Sequence, residues 1–223
     1  MCRKSILIGY NWDMIRQSQA PFIDSLSASE GVFTTAQAER LGISRSALAK
    51  ACSAGRLVRL AHGAYRSAAV TSSPTDEIAA AWKLTSPEKM LHERMTYDAW
   101  DGIAVGGTTA ASLIGIGDFF LTPICMYAPR RLKTRNPDVH FSVRQISWED
   151  VGFEHGFAVT RPERTVIDLV LDDEELSLVR DAYDDALEKG LDLEKLRAIV
   201  RRLAPGKARK VRRAFEGCDL HEI

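Results

Sequence analysis

The stretch from Phe33 to Arg66 constrains the fold of this chain more than any other part of it. Thr34 and Gln37 stand three residues apart at the start of an apolar run, which predicts a capping box and a helix that ends near Leu41. Gly42 then interrupts the helix. The chain is therefore expected to turn sharply at this point.

A second helix is predicted immediately after the turn. Ser44 is placed to cap its first amides, and Gly55 is suited to its left-handed end. The helix has an apolar side with Ala47, Leu48 and Ala51, and a polar side with Arg45, Ser46 and Lys50. Two helices with this spacing are typical of a helix-turn-helix.

Two short strands are predicted after the second helix. Residues 57–60 and 64–66 are apolar or aromatic at several positions and flank a turn that contains Gly63. A helix pair followed by such a hairpin is a winged helix.

The same stretch has a local excess of positive charge. The whole chain is neutral, with 30 Lys and Arg against 30 Asp and Glu, whereas residues 31–66 hold six basic residues and one acid, Glu39. A basic winged helix in a neutral chain predicts binding to DNA. The residues expected to read bases are Ser44, Arg45, Ser46 and Lys50. Those expected to hold the DNA backbone or minor groove are Thr34, Thr35, Arg56, Arg59, His62 and Arg66. The alternative is a winged helix that contacts only proteins.

These residues resemble the N-terminal domain of AbiEi-type antitoxins, from type IV abortive-infection toxin–antitoxin systems. The resemblance is carried by Phe33, Thr34, Leu41, Gly42, Gly55, Leu57, Arg59, Gly63 and Tyr65. Further along, the small residues Ala110, Ala111, Leu113 and Gly115 and the segment VTRPERTVIDL, residues 159–169, are similar to the C-terminal domain of the same family.

The remainder of the chain predicts a second, mixed α/β domain. Residues 70–75 have the composition of a connector, which gives domains at 15–70 and 75–223. Helices are expected at 15–26, 78–84 and 87–97, and a strand, a Gly-Gly turn and a helix within 102–118. Strands are expected at 123–128, 139–144 and 157–160. Thr160 and Glu163 predict a capping box at the start of a helix. Arg164 and Asp168, four residues apart on that helix, are expected to form a weak ion pair on its surface. The fold class is α+β, with a small sheet and a helical C-terminus.

The end of the chain has its largest charge contrast. Residues 168–194 hold eleven acids and two bases, and residues 195–213 hold nine bases and no acid. Two interpretations remain open. Helices of opposite charge can pack as neighbours with solvated faces, or the basic run can bind nucleic acid.

No pattern indicates catalysis, a cofactor or a metal. Cys2, Cys52, Cys125 and Cys218 are far apart and are expected to be reduced thiols in the cytoplasm. Pro137 and Asp138 lack the following acid-x-Lys of a restriction-type nuclease, so cleavage of nucleic acid is an alternative with little support. Residues 1–13 are too short for a membrane span and are expected to be a tail from an upstream start codon, with no export.

The resemblance implies an antitoxin of a phage-defence system that is also an autorepressor. Such a protein binds inverted repeats in its own promoter as double-stranded DNA and opposes a nucleotidyltransferase-like toxin, and it is not an enzyme. The alternative from a different class of regulator is a stand-alone winged-helix protein whose C-terminal domain binds a ligand or another protein.

Overall fold

Three helices and a three-stranded sheet form the N-terminal part of the protein in a computed structural model that describes residues 19–153 and 155–216. In chain order they are α1 (Ala20–Glu30), β1 (Val32–Thr34), α2 (Thr35–Arg40), α3 (Arg45–Ser53), β2 (Leu57–Ala61) and β3 (Ala64–Ser67). Strand β3 lies between β1 and β2 and pairs antiparallel with both. The arrangement is that of a winged helix, with β2 and β3 as the wing.

Helices α2 and α3 begin at the capping residues that the sequence predicted. The Thr34 hydroxyl accepts the N–H of Gln37 at 3.1 Å, and the Gln37 side chain accepts the N–H of Thr34 at 2.8 Å, which completes the capping box of α2. Ser44 accepts the N–H of Ala47 at 3.2 Å and caps α3. Gly55, with φ of 68°, lies just beyond the end of α3.

Helix α1 differs from the helix predicted at 15–26. It begins at Ala20 and continues to Glu30, while residues 15–18, like the tail at 1–13, lie outside the described residues. Ile23 and Leu26 are buried in the core of the winged helix as expected, but Phe22 is exposed.

A single helix, α4 (Asp76–Leu84), packs against both sheets of the protein. Its Ala80 packs with Val32 and Ala64 of the first sheet. Its Ile78 and Trp82 belong to the core around the second sheet. The helix confirms the one predicted at 78–84, and it joins the two parts of the chain through packed side chains. The domain division at 70–75 stays a prediction.

The second sheet has five strands: β4 (Ala104–Val105), β5 (Ile124–Ala128), β6 (Val139–Val143), β7 (Val151–Gly152) and β8 (Val159–Thr160). Their order is β6-β5-β4-β8-β7, with parallel pairs β5–β6 and β4–β8 and antiparallel pairs β4–β5 and β7–β8. The predicted strands are confirmed, and the two-residue strand β7 is an addition. Helix α6 (Gly107–Ile114) follows β4 directly, as the Gly-Gly turn predicted.

The C-terminal part is helical. It consists of α7 (Pro162–Leu171), α8 (Leu176–Glu188), α9 (Leu193–Arg202) and α10 (Pro205–Ala214), which share one apolar core. Helix α7 is central, because α6, α8, α9 and α10 all pack against it. The acidic segment 168–194 and the basic segment 195–213 are thus neighbours. Lys210 and Asp173 form an ion pair between them at 2.6 Å on the exposed surface. In the described part of the chain, no helix has the length and apolar character needed to cross a bilayer.

The helix predicted at 87–97 is wrong. Only a four-residue helix, α5 (Leu91–Arg94), and a 3-10 turn at Tyr97–Ala99 are present. The Met90 backbone is extended because its N–H donates to the Glu93 carboxylate at 2.7 Å, and the N–H of Leu91 donates to Glu30 at 3.0 Å. These bonds start a short helix at Leu91, in the middle of the segment that was predicted as one continuous helix.

The capping box predicted at Thr160 and Glu163 is also wrong. Arg161 is the N-cap of α7 and provides no side-chain bond. The Glu163 carboxylate instead accepts the N–H of Asp192 at 3.1 Å, and the Thr160 hydroxyl pairs with that of Thr165 at 2.7 Å. Both side chains therefore serve tertiary contacts.

The predicted surface pair on α7 is buried. Arg164 Nε lies 2.9 Å from Asp168 Oδ2, and the two side chains are 7% and 0% exposed. Arg144 of the loop after β6 also binds Asp168, at 2.8 Å, and Asp172, at 2.6 Å. Burial raises the pKa of Asp168, and its two arginine partners oppose that change. The pair belongs to an internal charge network and not to the surface.

Candidate nucleic-acid interface

The outer face of α3 is open to solvent. Its residues Arg45, Ser46 and Lys50 are exposed, whereas Leu48 and Ala51 on the opposite side are buried. This division follows from the apolar spacing of the helix, which turns one side to the core. The side chains predicted to read bases therefore lie on one free surface, apart from Ser44, which also caps the helix.

Gln19 holds the start of α3, and no sequence signal had indicated this role. Its amide donates to the Gly42 carbonyl at 2.8 Å, and its amide oxygen accepts the N–H of Ser44 at 3.1 Å. The Ser44 hydroxyl lies 3.0 Å from the hydroxyl of Ser46. The turn before α3 is thereby tied to the residue that precedes α1.

Arg45 is charged and outward-facing, with a side chain that is 77% exposed. Its Nε lies 2.6 Å from the Glu39 carboxylate of α2, and this hydrogen bond raises the pKa of Arg45. An exposed pair of this kind is weak, so the guanidinium can exchange Glu39 for a phosphate or a base edge. Lys50 has no such partner in the described part of the chain.

The tip of the wing places Arg59 and His62 together. Arg59 donates to the Nδ1 of His62 at 2.7 Å and to the Ala61 carbonyl at 3.3 Å. Both side chains are exposed. The tight turn depends on Gly63, whose φ of 88° favours glycine.

A concave surface of about 360 Å³ joins the wing to the helices. Its lining includes Thr35 at the start of α2, Arg45 at the start of α3, and Arg59 and His62 of the wing. Four residues that are separate in sequence thus surround one depression. Arg45, Arg59 and His62 outnumber Glu39 in its lining, and basic side chains suit the sugar-phosphate backbone of a duplex beside a helix seated in the major groove.

Two of the proposed contact residues are buried and hold the fold. Thr34 is 1% exposed, and its hydroxyl caps α2 and donates to the Pro87 carbonyl. Arg66 is 7% exposed, lies 2.8 Å from the Asp76 carboxylate and donates to the Val70 carbonyl. These contacts leave neither group for a ligand on the surface, so we omit both from the interface.

Arg56 lies at the edge of this surface. It is exposed and pairs with Asp24 of α1 at 3.3 Å, with the two side chains 43% and 72% exposed. Such a solvated pair is weak, so the guanidinium can exchange Asp24 for a phosphate. Among the described residues, no group of three or more His, Cys, Asp and Glu side chains is arranged to hold a metal ion. Burial raises the pKa of the Cys52 thiol on α3, which disfavours its thiolate.

A comparison with known protein families matches the winged-helix segment. Residues 21–68 match the model of a family described as "Transcriptional regulator, AbiEi antitoxin". The matched segment runs from the start of α1 to the residue after β3, so the N-terminal resemblance is confirmed over the winged helix. The similar residues after position 100 lie outside the match and stay a prediction.

The fold of a solved structure is similar over most of the chain. The crystal structure of the RV2827C protein from Mycobacterium tuberculosis has a TM-score of 0.55 and 15% sequence identity, and the alignment covers 89% of this chain and 76% of that chain. At this identity the likeness describes the fold alone. None of the curated proteins compared with the chain matches it.

Proposed function

We propose that this protein is a DNA-binding transcriptional regulator that represses its own operon. The observation that carries the proposal is the grouping of Arg45, Ser46 and Lys50 on the exposed face of α3, beside Arg59 and His62 of the wing. A recognition helix in the major groove uses its N-terminal residues and outer face for base edges, and Arg and Lys suit guanine.

We further propose that the regulator is the antitoxin of a type IV system and acts in the cytoplasm. The support is the match of residues 21–68 to a family of AbiEi antitoxins and regulators. Its own promoter would carry inverted repeats, and its functional partner would be a nucleotidyltransferase-like toxin in abortive infection and phage defence. The C-terminal half, with its helices α7 to α10, would oppose the toxin, and the protein would have no enzymatic activity of its own.

The DNA proposal is tested by fluorescence anisotropy with a labelled duplex from the region upstream of the gene. We expect specific binding that is lost in an Arg45→Ala, Lys50→Ala double variant, because each good base contact contributes about 1–3 kcal/mol of discrimination. A duplex of the same length with scrambled sequence measures the non-specific part.

The matched control removes two charges from another helix. Lys207 and Arg209 are exposed residues of α10, which packs against α7 and α9. Specific binding should survive Lys207→Ala, Arg209→Ala. The proposal is overturned if this control loses binding as completely as the α3 variant, or if the wild-type protein binds both duplexes equally.

The antitoxin proposal is tested separately in cells. A neighbouring toxin gene is expressed alone and together with this protein, and growth is followed. Rescue of growth supports an antitoxin. Sequence-specific repression without rescue, or without any toxin gene nearby, would instead identify a stand-alone regulator.

A further inference from the structure

A second basic surface lies outside the winged helix, on the loop between β5 and β6. This segment, residues 129–138, is the basic loop. It holds Arg130, Arg131, Lys133 and Arg135 against a single acid, Asp138. All four basic side chains are exposed.

The cations of the basic loop are unpaired, unlike most of those in the winged helix. Within the described residues, none of the four has an ion-pair or hydrogen-bond partner for its side chain. In the winged helix, four of the six basic residues are held by carboxylates: Arg40 by Glu93, Arg45 by Glu39, Arg56 by Asp24 and Arg66 by Asp76. The basic loop is therefore a concentrated source of free positive charge.

The basic loop lies next to the wing. A cavity of about 380 Å³ is lined by Leu60 and Ala61 of β2 on one side and by Arg130 and Lys133 on the other. Leu84 of α4 lines both this cavity and the depression between the wing and α3. The two depressions therefore adjoin at Leu84, which places the basic loop close to the wing.

Internal bonds give the basic loop a defined shape. The N–H of Asn136 donates to the Thr134 hydroxyl at 3.0 Å, and the N–H of Asp138 donates to the Asn136 side chain at 3.0 Å. Leu132 is partly buried against the core of the second sheet. Because the backbone is held, less conformational entropy is lost when its side chains meet a ligand.

The charges inside the cavity argue against a small anion as the ligand. Glu77 and Asp138 line it together with Arg130 and Lys133, so two acids oppose two bases there. Arg131 and Arg135 are not among the lining residues. An extended polyanion that crosses the mouth of the cavity can meet all the cations, whereas an ion inside meets two acids as well.

We propose that the basic loop binds backbone phosphates of the same DNA duplex whose bases are read by α3. The proposal rests on the DNA-binding function proposed above and adds a second, sequence-independent contact next to the wing. Each phosphate that is neutralised releases condensed counterions, so the contact contributes affinity that depends steeply on salt.

The test compares the salt dependence of specific binding in the full chain. An Arg130→Gln, Lys133→Gln variant is measured over a salt series beside Lys207→Gln, Arg209→Gln, which removes the same charge from α10. We expect the slope of log K against log salt to become shallower by about 0.9 for each lost phosphate contact, or about 1.8 in all, for the loop variant only. A charge-conserving Arg130→Lys, Lys133→Arg variant should keep the wild-type slope.

The outcomes separate the two proposals. If the wild-type protein binds specifically through α3 but the loop variant keeps the wild-type slope, the role of the basic loop is refuted and the regulator proposal stands. If the wild-type protein shows no specific binding, both fail. Far-ultraviolet circular dichroism and urea midpoints of the variants verify that each is folded, and the charge-conserving variant distinguishes a phosphate contact from a packing defect.

Discussion

Replacement of Lys83 by Met is expected to destabilise the protein because it leaves a buried carboxylate without its cation. Lys83 Nζ lies 2.5 Å from Glu30 Oε2 and 3.1 Å from the Glu30 carbonyl. The two side chains are only 3% and 4% exposed. Removal of one partner of a buried ion pair costs about 3–5 kcal/mol, since the remaining charge cannot reach water.

Two features of the site place the expected loss of stability near the lower limit of this range of energies. Glu30 keeps hydrogen bonds from Gln37 Nε2 and from the N–H of Leu91, both at 3.0 Å. Burial also lowers the pKa of Lys83, so the ammonium itself is costly to bury and its loss returns part of that cost. We expect a loss of about 3 kcal/mol in the free energy of unfolding, out of a typical total of about 5–15 kcal/mol. The midpoint of thermal unfolding should fall by roughly 6–12 °C for a chain of this size.

The measurement is urea denaturation followed by circular dichroism, with the slope compared among variants to verify two-state behaviour. The matched control is Lys210→Met, because the partner of Lys210 is Asp173, whose side chain is 83% exposed. That control should change stability by less than about 1 kcal/mol. A Glu30→Gln, Lys83→Met double variant removes both charges and should recover most of the loss. The reasoning is refuted if the two Lys→Met variants are equally stable, or if the double variant is no more stable than the single one.

Two further predictions concern packing and pH. A Cβ at Gly106 would lie 1.9 Å from the Tyr127 ring, whereas one at Gly206 meets nothing within 4 Å. Gly106→Ala should lower the free energy of unfolding, measured by urea denaturation, by about 3 kcal/mol. Gly206→Ala should leave it unchanged or raise it by up to about 1 kcal/mol. Equal effects of the two substitutions would contradict the close packing at Gly106. Hydrogen bonds from Arg40 and the Met90 backbone lower the pKa of Glu93 from 4.5 to about 2. Stability from this carboxylate is present above about pH 4.5 and is lost as the pH falls toward 2. A carbon-detected NMR titration should show the Glu93 pKa rising toward 4.5 in Arg40→Ala, and an unchanged pKa would count against the pair.

The winged helix was predictable because its signals are local. The capping box joins Thr34 and Gln37, and Ser44 and Gly55 mark the two ends of α3 within a few residues of each other. Strand β1 was missed because it has three residues and its pairing is distant: Val32 lies opposite Arg66. A short strand of that kind is defined by its partner and not by its own sequence.

Burial of charge was the property that sequence patterns described least well. Arg164 and Asp168 have the spacing of a solvated helix pair, but the loop after β6 and the neighbouring helices cover them. Thr34 and Arg66 looked like surface contacts within a basic segment, yet both are enclosed by residues of the segment 70–87. In each case the covering residues are remote in sequence, so spacing alone could not indicate them.

Proximity among the candidate interface residues could be predicted only where they are neighbours in sequence. Arg45 lies beside Arg59 and His62 of the wing as expected, since a helix-turn-helix and its hairpin are neighbours in sequence. The basic loop lies more than 60 positions beyond Arg59, and only the packing of α4 between the two sheets brings it to the wing.

The shared helix α4 also determines how this protein would sit on a promoter. Because Ala80 packs on the first sheet and Trp82 in the second core, the winged helix cannot swivel freely about residues 70–75. Two copies bound to an inverted repeat would therefore hold their C-terminal halves at a fixed angle to the duplex. If those halves contact each other, both winged helices can bind only where the half-sites are one or two helical turns apart, about 10.5 base pairs each.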